Sequence, residues 1–440
     1  MPLSSRICGE VGHPSMAASC VTQATSIRFS LPLVTTDGQV RPMMRARVSG
    51  RRSRLTWMVG AMALACAAPA TAWEPAHAGP ASDPVVVASS TAPNNDRVCE
   101  TSRIPVDLQP GIVVTPGRGL GLTFDQEVSG QYLWVKLCLP AGRVPRGVQV
   151  LVHGITYDHR YWNIADPADP GANTYSWEYH ATRAGYATVA IDRLGSGRSS
   201  HPLSAFVDIT SNSTALHNLV QALRAGDVPA PGGHRVVFSE VALVGHSGGS
   251  LISMIEVSRF RDVDAVILTG FSHKMNVDAM LNIAASSYPA VLDAQFAGTL
   301  LDPGYQTPRP GTHRRLFYAP GTDVDSRIIE RDEATKGTYT VEEIASLPVV
   351  LSTRLEIDVP VLLVNGTLDG IFCSQSLLDL GTDCSSDARV VAQERAYFPD
   401  APSVTSVLVP GLGHDLNAFR QARTAFQGAN SWLQATMPPE

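Results

Sequence analysis

Val241-Ala-Leu-Val-Gly245-His246-Ser247-Gly248-Gly249-Ser250 constrains the fold of this chain more than any other stretch. Four apolar residues run into a Gly-x-Ser-x-Gly turn, and Leu251 to Val257 then reads as the start of a helix. A serine on a tight strand-to-helix turn needs glycine on both sides, because the backbone is strained there and neighbouring chains approach closely. Gly245 and Gly249 meet that need. This nucleophile-elbow pattern exposes the serine hydroxyl and sets the Gly248 amide at a helix N-terminus, facing any oxyanion formed beside Ser247. The duller reading is a glycine-rich turn that contains serine by chance, so the motif has to be weighed with its partners.

Elements alternate on both sides of this stretch. Val148 to Val152 is an apolar strand ending at His153-Gly154, and helical signals follow near Tyr175 to Ala184. Tyr186 to Ile191 is the next strand, ending in Asp192-Arg-Leu-Gly-Ser-Gly-Arg-Ser199, and a helix over about Ser213 to Ala225 leads back to the elbow strand. Val263 to Thr269, Val361 to Asn365 and Val404 to Val409 supply the remaining strands. Strand and helix in alternation predict an α/β fold with a mostly parallel sheet flanked by helices. Gly119 to Phe124 and Tyr132 to Leu139 alternate as two strands of a hairpin ahead of it. Between Gly270 and Asp358 the strand pattern stops, and Ala279 to Ala285, Ala290 to Ala297 and Val341 to Ser346 read as helices between Pro/Gly-rich turns. This interval, about 271–357, is expected to be a helical cap inserted into a domain spanning 116–440.

At 440 residues, 44% of them hydrophobic and 17% charged, the chain can bury the core of one such domain. Its charge is uneven. Residues 1–72 hold eight arginines and two acids, a net +6 against −6 for the whole chain, which leaves the remainder at −12. An acidic body argues against nucleic acid as a partner. Arg45, Arg47, Arg51, Arg52 and Arg54 precede the apolar run Leu55 to Ala67, and Ala70-Thr71-Ala72 supplies an A-x-A cleavage site, so residues 1–72 read as an N-terminal extension and secretory signal peptide cut after Ala72. The run is too short for a stable membrane span. A secreted or periplasmic location follows, with 73–115, rich in Ala, Pro and Ser, as an extended lead-in.

Three of the seven cysteines, Cys8, Cys20 and Cys66, fall in the part that would be removed. The remaining four, Cys99, Cys138, Cys373 and Cys384, are an even number in an exported chain and point to disulfides. Of three pairings, Cys99 with Cys138 and Cys373 with Cys384 is favoured, each pair being near in sequence. A zinc site is not expected, because C-x-x-C and H-x-x-x-H spacings are missing.

In open parallel sheets, active sites lie beyond the carboxyl ends of the strands. Asp369 follows one predicted strand in Asn365-Gly-Thr-Leu-Asp369, and His414 follows another in Pro410-Gly-Leu-Gly-His414. A neutral serine is a weak nucleophile, so a histidine must take its proton during attack and return it to the leaving group. The imidazolium formed needs an anion that also fixes the ring tautomer. His414 and Asp369 are the candidates for these roles. Asp302 and Asp323 are alternative acids, but neither follows a strand, and Asp192 reads as a loop-holding residue.

From about residue 118 to 440 the chain resembles an α/β-hydrolase of the esterase/lipase type. The resemblance rests on His153-Gly154, the Asp192 to Ser199 loop, the Gly245 to Gly249 elbow, Asp369 and Gly413-His414, in that order. Leu151 to Pro202 is similar to a group of exported microbial hydrolases. The resemblance implies a second oxyanion donor, the amide of Ile155, beside Gly248. Tyr157, Tyr161 and Trp162, just after the oxyanion strand, are candidates for a pocket wall, with simple packing an equal alternative. The expected activity is cleavage of carboxylic esters, lactones included, through an acyl-enzyme on a small-molecule substrate, with neither metal nor cofactor. An amide- or peptide-cleaving serine hydrolase is the alternative within enzymes. A catalytically silent exported binding protein is the alternative of another class.

Overall fold

The computed structural model describes residues 97–108, 128–169, 171–318, 322–374 and 380–437. The expected signal peptide and the Gly119 to Phe124 strand lie outside the described residues.

Eight strands form the main sheet: β1 (Arg97–Leu108), β2 (Val128–Pro140), β3 (Val148–Val152), β4 (Ala187–Ile191), β5 (Val241–His246), β6 (Ala265–Thr269), β10 (Val361–Gly366) and β11 (Val404–Val409). Their spatial order is β1-β2-β4-β3-β5-β6-β10-β11. β2 runs antiparallel to both β1 and β4, and every other neighbouring pair is parallel. β3, β4, β5, β6 and β10 are buried at every position, which is why each is mostly apolar and why both faces of the sheet must be covered. Each Val, Leu or Ile buried there contributes roughly 1.5–3 kcal/mol relative to exposure.

The helices α1 (Trp177–Arg183), α2 (Ile209–Ala225), α3 (Gly248–Phe260), α8 (Asp387–Glu394) and α9 (Ala422–Thr436) supply that cover. α2 shows why such segments start and stop where they do. The Asp208 carboxylate and Ser211 hydroxyl form a reciprocal capping box at its N-terminus, and Gly226 ends it with φ 71°.

The sheet begins inside the segment read as a lead-in. β1 alternates buried Ile104, Val106 and Leu108 with exposed Arg103, Pro105 and Asp107, a half-buried edge strand whose proline and charges disguise it. It is β1 that pairs with β2, with Cys99 opposite Cys138 in register. A disulfide joins those two residues, and a second joins Cys373 to Cys384.

Between β6 and β10 the chain forms α4 (Val277–Ser286), α5 (Thr312–Leu316), α6 (Ser326–Ala334) and α7 (Val341–Ser352), together with a small antiparallel sheet of β7 (Ser287–Pro289), β8 (Tyr305–Pro308) and β9 (Tyr339–Thr340). The expected helix over Ala290 to Ala297 is instead two short 3-10 turns on either side of Asp293, whose side chain caps the second. The cap is therefore helical with a three-stranded element, not helical alone. Strands of two to four residues leave no periodicity for a sequence reading to find. Among the described residues no helix is long and apolar enough to cross a membrane.

Candidate active site

Ser247 sits where β5 turns into α3, with φ 52° and ψ −117°, a strained conformation for a residue other than glycine. The flanking glycines are required by space. A Cβ on Gly245 would come within 2.5 Å of Ser250 Cα, and one on Gly249 would overlap the carbonyl oxygen of Val152. The serine amide is tied to the Thr269 carbonyl at 2.9 Å, which locks the turn to β6.

Gly248 opens α3 and lies against Ile155: a Cβ built on it would meet Ile155 Cγ2 at 2.9 Å and the Ile155 nitrogen at 3.3 Å. Among the described residues neither the Ile155 nor the Gly248 amide has an acceptor. The two predicted oxyanion donors are thus neighbours, and both are free to donate. His153 and Asp192 hold this corner together. His153 Nε2 accepts from the Arg193 amide at 3.0 Å, and burial, followed by the Arg193 charge, lowers its pKa to about 3, so the ring stays neutral. Asp192 accepts from the His159 amide, the His159 ring and the Arg198 amide at 2.7–2.8 Å.

His414 Nδ1 lies 3.0 Å from Asp369 Oδ2, both residues being buried. Asp369 is itself fixed, its Oδ1 accepting from the amides of Ile371 at 2.9 Å and Phe372 at 3.2 Å. Asn365, at the end of β10, exchanges two hydrogen bonds with the backbone of Phe271 and so pins the loop after β6 against the Asp369 loop. The His414 ring rests 4.9 Å from the ring of His246, the residue before Ser247, and its Cε1 lies 3.2 Å from the Cβ position of Gly270. Burial, the largest influence on His414, opposes its charging, but the Asp369 carboxylate and its hydrogen bond, with Asp415, outweigh burial and raise its pKa above the usual value. The alternative acids are engaged elsewhere. Asp302 accepts from the Ser204 hydroxyl and amide, and Asp323 faces Arg420 on the surface.

Above these residues lies a buried polar cluster that the sequence reading did not assemble. Asp415 accepts a short hydrogen bond from the Tyr157 hydroxyl. Asp332, from the cap helix α6, accepts from the Tyr318 hydroxyl at 3.1 Å and contacts His313 Nδ1 at 2.9 Å. Burial first, then the Asp332 charge, pushes Asp415 up to about 7. Burial and the same two carboxylates hold Tyr157, Tyr161 and Tyr318 well above the usual phenol range, so all three stay neutral, and Tyr157 and Tyr318 donate to the carboxylates.

Tyr157 and Tyr161 face this region and help line a cavity of about 60 Å³ together with Asp158, Arg160, Asn163 and Asp332. Trp162 does not line it. It is fully buried, edge-on to Tyr161 and Trp177 at 5.2 and 5.5 Å, and so backs the wall from the core. Phe317 and Tyr318 of the cap also reach the site, with the Phe317 ring 5.5 Å from that of His414. His246 and Asp415 were discoverable as immediate neighbours of Ser247 and His414. His313 and Asp332 carry no local signal, because only the cap's packing brings them in. A larger cavity of about 430 Å³, lined by Arg160, Arg198, His201, Phe296, Leu301 and Lys336 among others, lies off the elbow, and Ser247 is not in its wall.

Solved structures with similar folds include an esterase from Thermogutta terrifontis, at 16% identity over 76% of this chain and 99% of that one, with a TM-score of 0.45. A monoglyceride lipase from Saccharomyces cerevisiae is similar at 15% identity, 74% and 98% coverage and a TM-score of 0.45. An enol-lactonase from Burkholderia xenovorans is similar at 15% identity, 70% and 98% coverage and a TM-score of 0.45. No curated protein matches the chain in sequence. The sequence pattern of the Alpha/beta hydrolase family, by contrast, matches residues 149–426. That match spans well over half of the chain and runs from the oxyanion strand past His414, and the protein belongs to the α/β-hydrolase family.

Proposed function

We propose that this protein is an exported serine hydrolase that cleaves carboxylic esters, lactones included, with Ser247, His414 and Asp369 as its catalytic residues. The observation that carries the reading is the buried His414–Asp369 hydrogen bond of 3.0 Å beside the strained Ser247 elbow. Ser247 Oγ attacks the ester carbonyl while His414 Nε2 takes its proton, and Asp369 holds the resulting imidazolium in place. The carbonyl oxygen, now anionic, accepts from the Ile155 and Gly248 amides. Collapse expels the alcohol, which takes the proton back from His414 and leaves the acyl group on Ser247. Water, deprotonated by the same histidine, then releases the acid. Each oxyanion donor contributes on the order of 2.7–4 kcal/mol to lowering the barrier. No step in this scheme draws on a metal or cofactor.

The cap over about 271–357, inserted in a domain whose sheet starts with β1 at Arg97, selects the substrate in this reading, since Asp332, His313 and Phe317 reach the site from it. Two disulfides support export into an oxidising compartment, in line with the signal-like N-terminal sequence. The test is Ser247→Ala: hydrolysis of short p-nitrophenyl esters disappears while the circular dichroism spectrum is unchanged, and retained turnover overturns the assignment. Labelling of Ser247 by a fluorophosphonate probe separates the enzyme from a silent binding protein. Rates on matched ester and amide substrates separate esterase from amidase.

A further inference from the structure

A buried ring nitrogen and a buried carboxyl oxygen face each other beside the proposed nucleophile without a hydrogen bond of ordinary geometry between them. His246 Nε2 and Asp415 Oδ1 lie 3.4 Å apart, and neither has a hydrogen-bond partner among the described residues. The tautomer of His246 follows from its other nitrogen. The Thr269 hydroxyl donates to the Gly245 carbonyl at 3.0 Å, so it accepts from His246 Nδ1–H at 3.1 Å, and Nε2 carries the lone pair. The Asp415 oxygen that does have a partner is Oδ2, which accepts from Tyr157. One ligand atom from each of His246, Asp415 and His414 falls within 4.8 Å of the others. Nδ1 of His414 is committed to Asp369, so the site proposed below takes Nε2 as its third ligand.

We infer that His246, His414 and Asp415 form an inhibitory site for a four-coordinate divalent cation of the zinc class. Tetrahedral bonds of about 2.0–2.1 Å separate adjacent donors by about 3.3 Å, close to the observed 3.4 Å. Each ligand also has the outer partner that metal-bound side chains use to fix orientation: Thr269 on His246, Asp369 on His414 and Tyr157 on Asp415. Tyr161 stacks on the His246 ring at 4.3 Å and 16°, which holds its plane. Two neutral imidazoles and one carboxylate are a zinc-type donor set, and Ser247 or water would complete it. The ligands come from positions 246, 414 and 415, so no local spacing signals them, and the sequence-based expectation against zinc does not reach such a site. Its occupant blocks catalysis by taking the lone pair of His414 that must receive the serine proton. That inhibitory half rests on the hydrolase reading above, whereas metal binding itself does not.

The test uses Co²⁺ as a spectroscopic probe on the full-length, metal-free protein. One equivalent of Co²⁺ is expected to give the visible absorption of four-coordinate cobalt, to be displaced by Zn²⁺, and to persist in Ser247→Ala. Asp415→Asn is expected to lose the band, and Tyr157→Phe to weaken binding by about 10–100-fold. Ester turnover by the wild type is expected to fall as Zn²⁺ fills the site and to return on chelation. Absence of the visible band in the wild type, or its survival in Asp415→Asn, overturns the site. A band without inhibition of an otherwise active enzyme overturns the inhibitory role alone. If no ester is turned over at all, the band still decides whether the cation site exists, and the hydrolase reading fails separately. Should Asp415→Asn fail to fold, His246→Gln serves in its place, and the wild-type spectrum is decisive by itself.

Discussion

Asp369→Asn is the substitution whose effect the geometry defines most closely. One carboxylate oxygen of Asp369 accepts from two backbone amides, Ile371 and Phe372, and the other faces His414 Nδ1. An asparagine in its place must keep its carbonyl oxygen toward the two amides, since turning the amide group around would leave both donors unpaired at about 1–3 kcal/mol each. Its NH₂ then faces Nδ1 and donates to it, so the histidine proton moves to Nε2. The wrong tautomer cannot accept from Ser247. A change of this kind lowers kcat by roughly 10⁴-fold in serine hydrolases, or about 5.4 kcal/mol of barrier. Because both amides stay paired and side-chain volume is kept, stability should change little. Steady-state kinetics on a p-nitrophenyl ester, with urea denaturation on the same preparation, read the two quantities together. A folded variant that retains more than a tenth of wild-type kcat would refute the assignment of Asp369 and move attention to Asp415. Asp369→Ala is the contrast: it strands both amides, so it should lose stability as well as rate.

The pH profile follows from the same pair. His414 must be neutral to act as base, and Asp369, Asp415 and the neighbouring His246 are the ionisable groups facing it; its raised pKa places the acid limb of kcat/KM above the ordinary histidine value of 6.5, with activity lost as pH falls through it. A limb at or below 6.5 in a pH–rate series contradicts that direction. Gly249→Ala should cost roughly 3 kcal/mol of stability, because the added methyl meets the Val152 carbonyl where β3 passes the elbow. Chemical denaturation checks it, and an unchanged midpoint means that the elbow is looser than the packing implies.

What was legible in the sequence was whatever a short stretch encodes by itself. β3 and β11 begin and end where the apolar runs do, because a strand buried or paired along its length leaves a continuous signature. Ser247, Asp369 and His414 could be proposed together from the sequence because each follows a strand of the same sheet, in the loops beyond its carboxyl end. β1 was hidden because an edge strand carries charge and proline on its open face, in a segment whose composition otherwise reads as linker. The polar cluster was hidden for a different reason. Tyr157 meets Asp415 across 258 residues, and Asp332 meets Tyr157 across 175, so neither contact has any local counterpart.

The cap is tied directly to the loops that flank the elbow, not merely laid over them. Thr156 adopts φ 71°, an unusual conformation for a β-branched residue, immediately after Ile155, and its carbonyl accepts from the Gly337 amide of the cap at 2.5 Å. Gly337 leaves no room for a side chain there, since a Cβ would approach the Tyr157 carbonyl at 2.5 Å. On the other side of the same loop, Arg193 donates to the Gly154 carbonyl and forms a buried ion pair with Glu343 of α7. A buried pair of this sort adds little net stability, but breaking it by removing one partner costs about 3–5 kcal/mol. It therefore holds the cap and the Gly154–Thr156 loop in one arrangement. The His414 amide likewise donates to the Phe317 carbonyl at 3.1 Å. Cap residues thus set the backbone on which both Ile155, the proposed oxyanion donor, and His414, the proposed general base, depend. A change in the cap that alters substrate choice should therefore also alter kcat, and the two effects cannot be assigned to separate parts of the chain.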